Sequence, residues 1–177
     1  MNPDKKRYLS YICPQCRQSV IVERDLFTLA AAPNRIKCPC GKSELTVDFQ
    51  PDLVHMTVPC VFCGRDHKVA CPSSAFAQEK ALAFSCSASG LDCCYVGEEG
   101  PVYAATARLE QALDRAEILM EAKASAYCVT PNGEIVWEAM HDGAFLDILN
   151  GADLVLPDGA GVVMGSRILE RPLQEKV

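Results

Sequence analysis

The chain has 177 residues, 49% of them hydrophobic, with 17 Lys and Arg against 23 Asp and Glu for a formal charge of -6. This is globular composition, which excludes wholesale disorder, and its acidic balance disfavours a nucleic-acid partner held through its phosphates. No apolar run approaches the roughly 20 residues of a transmembrane helix, and the charged start has no signal-peptide core behind it, so the expected location is the cytoplasm.

Cysteine is the first informative residue type. Of 11 cysteines, ten lie between Cys13 and Cys94 and only Cys128 lies beyond. In a reducing compartment such a cluster points to metal ligation over disulfides. The chain divides into a Cys-rich front, residues 8–100, and a Cys-poor back, residues 107–177, with the Gly/Pro stretch Glu98-Glu99-Gly100-Pro101 read as the linker.

In the front, Cys13-Pro14-Gln15-Cys16 is a CxxC knuckle that Cys38-Pro39-Cys40-Gly41 complements. Two such turns at the ends of separate hairpins supply the four thiolates of a tetrahedral zinc site. Residues 19–23 (SVIVE) and 44–49 (ELTVDF) read as strands, and 35–38 leads back to the second turn. The plan then repeats: Cys60-Val61-Phe62-Cys63-Gly64 opens it, 67–71 (HKVAC) and 81–85 (ALAFS) supply strands, and Cys86 falls where Cys38 fell. A CxC turn would put its second thiolate at position 88, which is Ala. The fourth ligand is then Cys93, Cys94 or His67; the cysteines after the turn Ser89-Gly90-Leu91-Asp92 are favoured, and the second set is taken as Cys60, Cys63, Cys86 and Cys94.

Both sets are closed, so the expected cofactor is structural Zn2+, two ions per chain, with no catalytic metal. Cys71 reads as a buried strand residue and His55 as a solvent-facing one. The basic clusters Lys5-Lys6-Arg7, Arg35 with Lys37 and Lys42, and Arg65 with His67 and Lys68 are interrupted by acids and read as solvated loops.

In the back, Leu109, Ala112, Leu113, Ala116, Leu119 and Met120 recur at helical spacing from residue 107. Residues 125–130 (SAYCVT) read as a short buried strand in which Cys128 is a packed small hydrophobe. Pro131-Asn132-Gly133 then breaks it, with Asn132 as N-cap of a helix over 134–140 that turns Ile135, Val136 and Ala139 inward. Trp137 and Tyr127 are read as core, and His141 as an interaction with that helix's C-terminus. Asp142 caps a further helix ending at Gly151, 152–156 (ADLVL) is a second apolar strand stopping at Pro157-Asp158-Gly159, and 162–169 is a last helix. The rhythm is that of a parallel α/β sheet, in which ligands sit beyond the carboxyl ends of the strands. By spacing alone, Asp158 either makes the turn and caps a helix or faces such a ligand.

The segments VTPNGEIV (129–136), ADLVLPDGAGVV (152–163) and RILERPLQEKV (167–177) resemble the start of the WecG/TagA/CpsF glycosyltransferases, over about 109–177. The resemblance implies transfer of N-acetylmannosamine or a related sugar from a UDP-sugar to a lipid-diphosphate-linked acceptor, in teichoic acid or surface polysaccharide assembly. It implies that Asp158 is the general base, that Thr130 and Asn132 line the substrate pocket, and that Lys176 stands where the family's PERV arginine would meet a diphosphate. It also implies that a fuller form sits at the inner face of the membrane. The resemblance stops at Val177, so a truncated or fused transferase is expected. The front resembles a clostridial kind of zinc-ribbon protein, a resemblance that adds no activity. The expected fold is α/β: a tandem zinc-ribbon module of small β type, residues 8–100, then a partial Rossmann-like lobe, residues 107–177. The competing functional reading is a non-catalytic zinc-ribbon protein whose front docks a protein partner.

Overall fold

The computed structural model describes residues 5–122 and 125–170. The chain forms two compact units, Met1–Glu110 and Gln111–Val177.

The first unit is an antiparallel β structure built from one plan used twice. In the first repeat, β1 (Lys6–Ile12) and β2 (Ser19–Asp25) form a hairpin, α1 (Leu26–Ala31) follows, and β3 (Asn34–Lys37) and β4 (Glu44–Phe49) form a second hairpin. The second repeat gives β5 (Leu53–Pro59), β6 (Asp66–Pro72), α2 (Ser73–Gln78), β7 (Ala81–Ser85) and β8 (Asp92–Gly97) in the same order. Asp25 starts α1 by accepting the Thr28 N–H, and Leu26 and Leu29 of that helix are buried.

The repeats do not fold as two beads. They exchange hairpins: one sheet has the order β2-β1-β8-β7 and the other β3-β4-β5-β6. Tyr8 is opposite Gly97 and Tyr11 opposite Cys94 across the β1/β8 junction, while Thr46 faces Thr57 and Phe49 faces Val54 across β4/β5. Each sheet therefore contains one hairpin from each repeat. The alternation of β4 and β5 turns Leu45, Val47, Val54, Met56 and Val58 inward, where they meet Leu9, Leu29, Phe76 and Val96 in one continuous core. Tyr11 bridges the sheets, its hydroxyl donating to the Ile36 carbonyl at 3.3 Å, and Phe49 and Phe76 meet edge to face at 5.6 Å.

The stretch read as a linker is helix. α3 (Glu99–Glu121) begins eight residues before the expected start at 107, and Gly100 and Pro101 fall in its first turn, where proline costs no hydrogen bond. Its first half buries Val102, Ala105, Thr106 and Leu109, and the Thr106 hydroxyl donates to Ser10 of β1 at 2.7 Å. The basic start also departs from expectation: Lys6 pairs with Glu23 at the surface, but Arg7 is fully buried and donates to the Glu79 carbonyl.

In the second unit β9 (Cys128–Val129) and β10 (Leu154–Val155) pair in parallel, Leu154 opposite Cys128 and Val155 opposite Val129. The crossover between them is α4 (Gly133–Ala139), capped by Asn132, then α5 (Gly143–Asn150), capped by Asp142; α6 (Ala160–Ile168) follows. The strands are not buried as expected. A parallel pair needs cover on both faces, yet among the described residues of this unit only Pro131 and Ala139 are buried. Cys128 is exposed, as are Val136, Val155 and Trp137, whose ring lies against His141 at a tilt of 52° instead of entering a core. Tyr127 is partly exposed and donates to the Ile148 carbonyl. His141 Nδ1 donates to the Trp137 carbonyl at 2.8 Å, at the end of α4.

Candidate metal centres and a strand-end site

Four tight turns end the four hairpins, and each brings its leading cysteine to the gap between the sheets. Three share one pattern, with Arg17, Gly64 and Gly90 donating to the carbonyls of Cys13, Cys60 and Cys86; in the fourth, Gly41 donates to Cys38. The residues that close these turns sit at positive φ: 62° at Arg17, 73° at Gly41, 68° at Gly64 and 74° at Gly90. That requirement accounts for three glycines and makes Arg17 the exception.

Cys13, Cys16, Cys38 and Cys40 converge, each offering a sulfur within 4.8 Å of the others. Cys13 and Cys40 sulfurs are 3.6 Å apart, and Cys16 and Cys38 sulfurs 3.5 Å. Four sulfurs about 2.3 Å from a central ion stand roughly 3.8 Å apart, so the set fits a tetrahedral thiophilic metal. Burial opposes ionisation of Cys13, but hydrogen bonds from the Ser43 hydroxyl at 3.0 Å and the Gln15 N–H outweigh it and bring the thiol below its usual range. Burial pushes Cys38 the other way.

The second cluster is Cys60, Cys63, His67 and Cys86, again with one donor atom each within 4.8 Å. His67, and not Cys94, completes it. The turn after Cys86 has the CxxC hydrogen-bond pattern and not the CxC one, so Ser89 stands where Cys16 and Cys63 stand in their turns. The missing thiolate is replaced from β6, where pairing with Val58 holds His67 with its Nε2 3.3 Å from the Cys63 sulfur. Cys94 is fully buried in mid-sheet, opposite Phe84 and Tyr11 and near Cys71. Its strand position turns it away from the cluster. The signal available beforehand was a histidine four residues after Cys63, together with Ser89-Gly90 in the place of Cys63-Gly64.

Each cluster draws donors from both sheets. The β1/β2 turn meets the β3/β4 turn in the first, and the β5/β6 hairpin meets the β7/β8 turn in the second. Both clusters thus lie within a repeat by sequence and between sheets in space.

The second unit brings Thr130, Asn132 and Asp158 to the same end of its two strands. Beyond the ladder, Leu156 N–H donates to Val129 at 2.9 Å and Asp158 N–H to Pro131 at 3.1 Å, so both chains leave the sheet side by side. Thr130 is exposed, and Asn132 and Asp158 are half-buried. The Asn132 side chain also caps α4, accepting from Ile135 N–H at 2.9 Å. Gly159, at φ 85°, turns the chain from Asp158 into α6. Lys176 lies outside the described residues. An apolar groove of about 270 Å³ in the same unit, lined by Leu119, Met120, Tyr127, Cys128 and Leu154, does not include these residues. Among the described residues no helix is long and apolar enough to cross a membrane.

Residues 101–177 match the Glycosyl transferase WecG/TagA/CpsF family. Over 52 residues the chain is 46% identical to an N-acetylglucosaminyldiphosphoundecaprenol N-acetyl-beta-D-mannosaminyltransferase of Bacillus spizizenii, covering 29% of this chain and 20% of that one. It is 38% identical over 58 residues to the protein of the same name from Bacillus subtilis, covering 33% of this chain and 23% of that one. The chain therefore spans about a fifth of the length of these relatives. No solved structure matches it.

Proposed function

We propose that the second unit is part of a glycosyltransferase site that moves N-acetylmannosamine or a related sugar from a UDP-sugar to a lipid-diphosphate-linked acceptor. In this reading the first unit is a module held together by two structural zinc ions. The observation that carries the transferase reading is the match of residues 101–177 to the family, together with the relatives' names. The strand-end geometry is compatible with it, because Asp158, Thr130 and Asn132 leave the sheet at the end where an α/β fold takes its ligand.

In this reading the Asp158 carboxylate takes the proton from the acceptor hydroxyl as its oxygen attacks the anomeric carbon, and the UDP leaves with the electrons of the broken C–O bond. Thr130, with its exposed hydroxyl, and Asn132, with the amide nitrogen that capping leaves over, position the sugar or the nucleotide. Lys176 supplies a positive charge toward a diphosphate. The leaving diphosphate has to be held from both sides of a cleft, so these residues form one wall, and the family's remaining segments form the other.

For the zinc reading, the donor chemistry is the support: four thiolates in one cluster, three thiolates and an imidazole in the other, both complete without water. The ions supply folding energy to a small unit and no step of the transfer.

The test joins residues 1–177 to the remaining segments of the Bacillus subtilis relative and assays transfer from UDP-N-acetylmannosamine to the lipid-linked acceptor. Turnover is expected, and Asp158→Asn in that protein is expected to lower it by roughly a hundredfold or more, the scale for losing a positioned base. A folded, inactive chimera would refute the transferase reading; an active one indifferent to Asp158→Asn would refute the base.

A further inference from the structure

The two repeats differ at one point beside the second cluster. In the first repeat β3 and β4 pair without interruption, Lys37 opposite Glu44 and Ile36 opposite Leu45. In the second, β7 and β8 slip: Ser85 is opposite Asp92 and Phe84 opposite Cys94, which leaves Cys93 without a partner across the ladder. Cys93 is the extra residue of a β-bulge, a device that re-aims a side chain. Counted from the closing cysteine it stands where the first repeat has the core residue Leu45. Its thiol is almost wholly buried, donates to the Phe84 carbonyl at 3.3 Å, and lies beside the set of four converging donors without belonging to it, with burial and the neighbouring Cys60 and Cys86 pushing its pKa up.

We propose that Cys93 is a reserve ligand of the second metal centre, a fifth donor able to take the coordination position of His67 and convert a three-thiolate, one-imidazole site into a four-thiolate site. The proposal rests on the zinc reading above. His67 is the donor best placed to leave: Cys60 and Cys86 are buried, Cys63 is half-buried but held in the turn that Gly64 closes on Cys60, and His67 is half-buried on β6, an edge strand, with the one donor that softer metals bind less well than thiolate. In the exchange the metal–Nε2 bond breaks and a metal–Sγ bond forms. The thiol proton passes to the released imidazole or to water, Phe84 loses its donor, and no electrons are transferred. A thiophilic ion favours the all-sulfur form, so the site accepts softer metals than its histidine suggests.

The test uses the full chain, with His67→Ala, Cys93→Ser and the double variant, and measures zinc stoichiometry and the thiolate-to-metal absorption of the cobalt-loaded protein. Two equivalents are expected for the wild type and for Cys93→Ser. Two are expected for His67→Ala, with stronger thiolate absorption, and one for the double variant. A drop to one equivalent in His67→Ala alone would overturn the proposal, as would two equivalents that survive in the double variant. Should His67→Ala fail to fold, 113Cd NMR of the wild type and Cys93→Ser decides. Cadmium should give two four-thiolate resonances in the wild type, one of which moves toward the three-thiolate range without Cys93; identical spectra overturn the proposal. A wild type that binds no metal would instead refute the zinc reading beneath it.

Discussion

Replacing Cys38 by serine should unfold both repeats of the first unit and not only its own. Structural zinc sites of this ligand type contribute about 10–16 kcal/mol of apparent folding energy in small peptides, against a total stability of about 5–15 kcal/mol for a domain. With zinc bound as proposed, a Cys38→Ser change that empties the first site therefore removes an amount comparable to everything that holds the unit folded. The damage spreads because β1 and β4, whose turns carry the cluster, pair with β8 and β5 of the other repeat. Releasing them strips cover from Val54, Met56 and Val96. Hydrogen exchange read by mass spectrometry, on the variant and on wild type treated with chelator, should show β5 and β8 losing protection together with β1 and β4. Persistent protection over 53–97 with the second cluster still loaded would refute the shared core.

Arg17 occupies a left-handed position at φ 62° that glycine holds in the other three turns. Arg17→Gly should therefore stabilise the unit by about 1 kcal/mol, seen as a higher melting temperature; a fall would mean that the side chain makes a compensating contact. Asn132→Ala should cost about 1 kcal/mol in urea unfolding through loss of the α4 cap, whereas Asn132→Ser should restore most of it. In an active chimera, full activity of Asn132→Ser would show that the amide touches no substrate. Arg7 is buried with Nε and Nη1 lacking hydrogen-bond partners among the described residues, and burial pulls its pKa down against Glu98 and Glu79. Arg7→Met should thus change stability by less than about 1 kcal/mol or raise it; a loss above about 3 kcal/mol would reveal an ion pair that forms in solution.

What could be read beforehand was local. The spacing of Cys13, Cys16, Cys38 and Cys40 named the first cluster because two thiolates per turn is a short-range pattern. The strands at 19–23, 44–49, 67–71 and 81–85, the caps at Asn132 and Asp142 and the short strands at 128 and 154 follow from alternation and capping chemistry. What escaped was non-local or rested on the wrong register. The pairing of β1 with β8 joins residues far apart in sequence, and nothing in either strand announces the partner. Of the three candidates Cys93, Cys94 and His67, a CxC reading of Cys86 favours the cysteines; the turn that forms puts Ser89 at the vacant place, and His67 is the candidate that converges with Cys60, Cys63 and Cys86. Helix α3 starts earlier than the sequence suggests because Gly100-Pro101 reads as a break, although proline in a first turn is no obstacle. In the second unit the apolar strands lack the burial that their composition suggests, because burial depends on a neighbour that a strand's own residues do not specify.

The hairpin exchange also says what a single repeat would be. Taken alone, residues 6–49 would leave the outer edge of β1 and the outer edge of β4 unpaired, with Leu9, Leu45 and Val47 uncovered between them. Exposed edges of that kind recruit another chain, and a second copy would fit both at once, β1 of each against β4 of the other's kind, in a closed two-fold pair. The present unit has the strand order of such a pair within one polypeptide. Joining the halves fixes their ratio at one to one and removes the concentration dependence of assembly. It also lets the halves diverge, since each position now occurs once: Ser89, His67 and the bulge at Cys93 sit in one half while the other keeps its four cysteines.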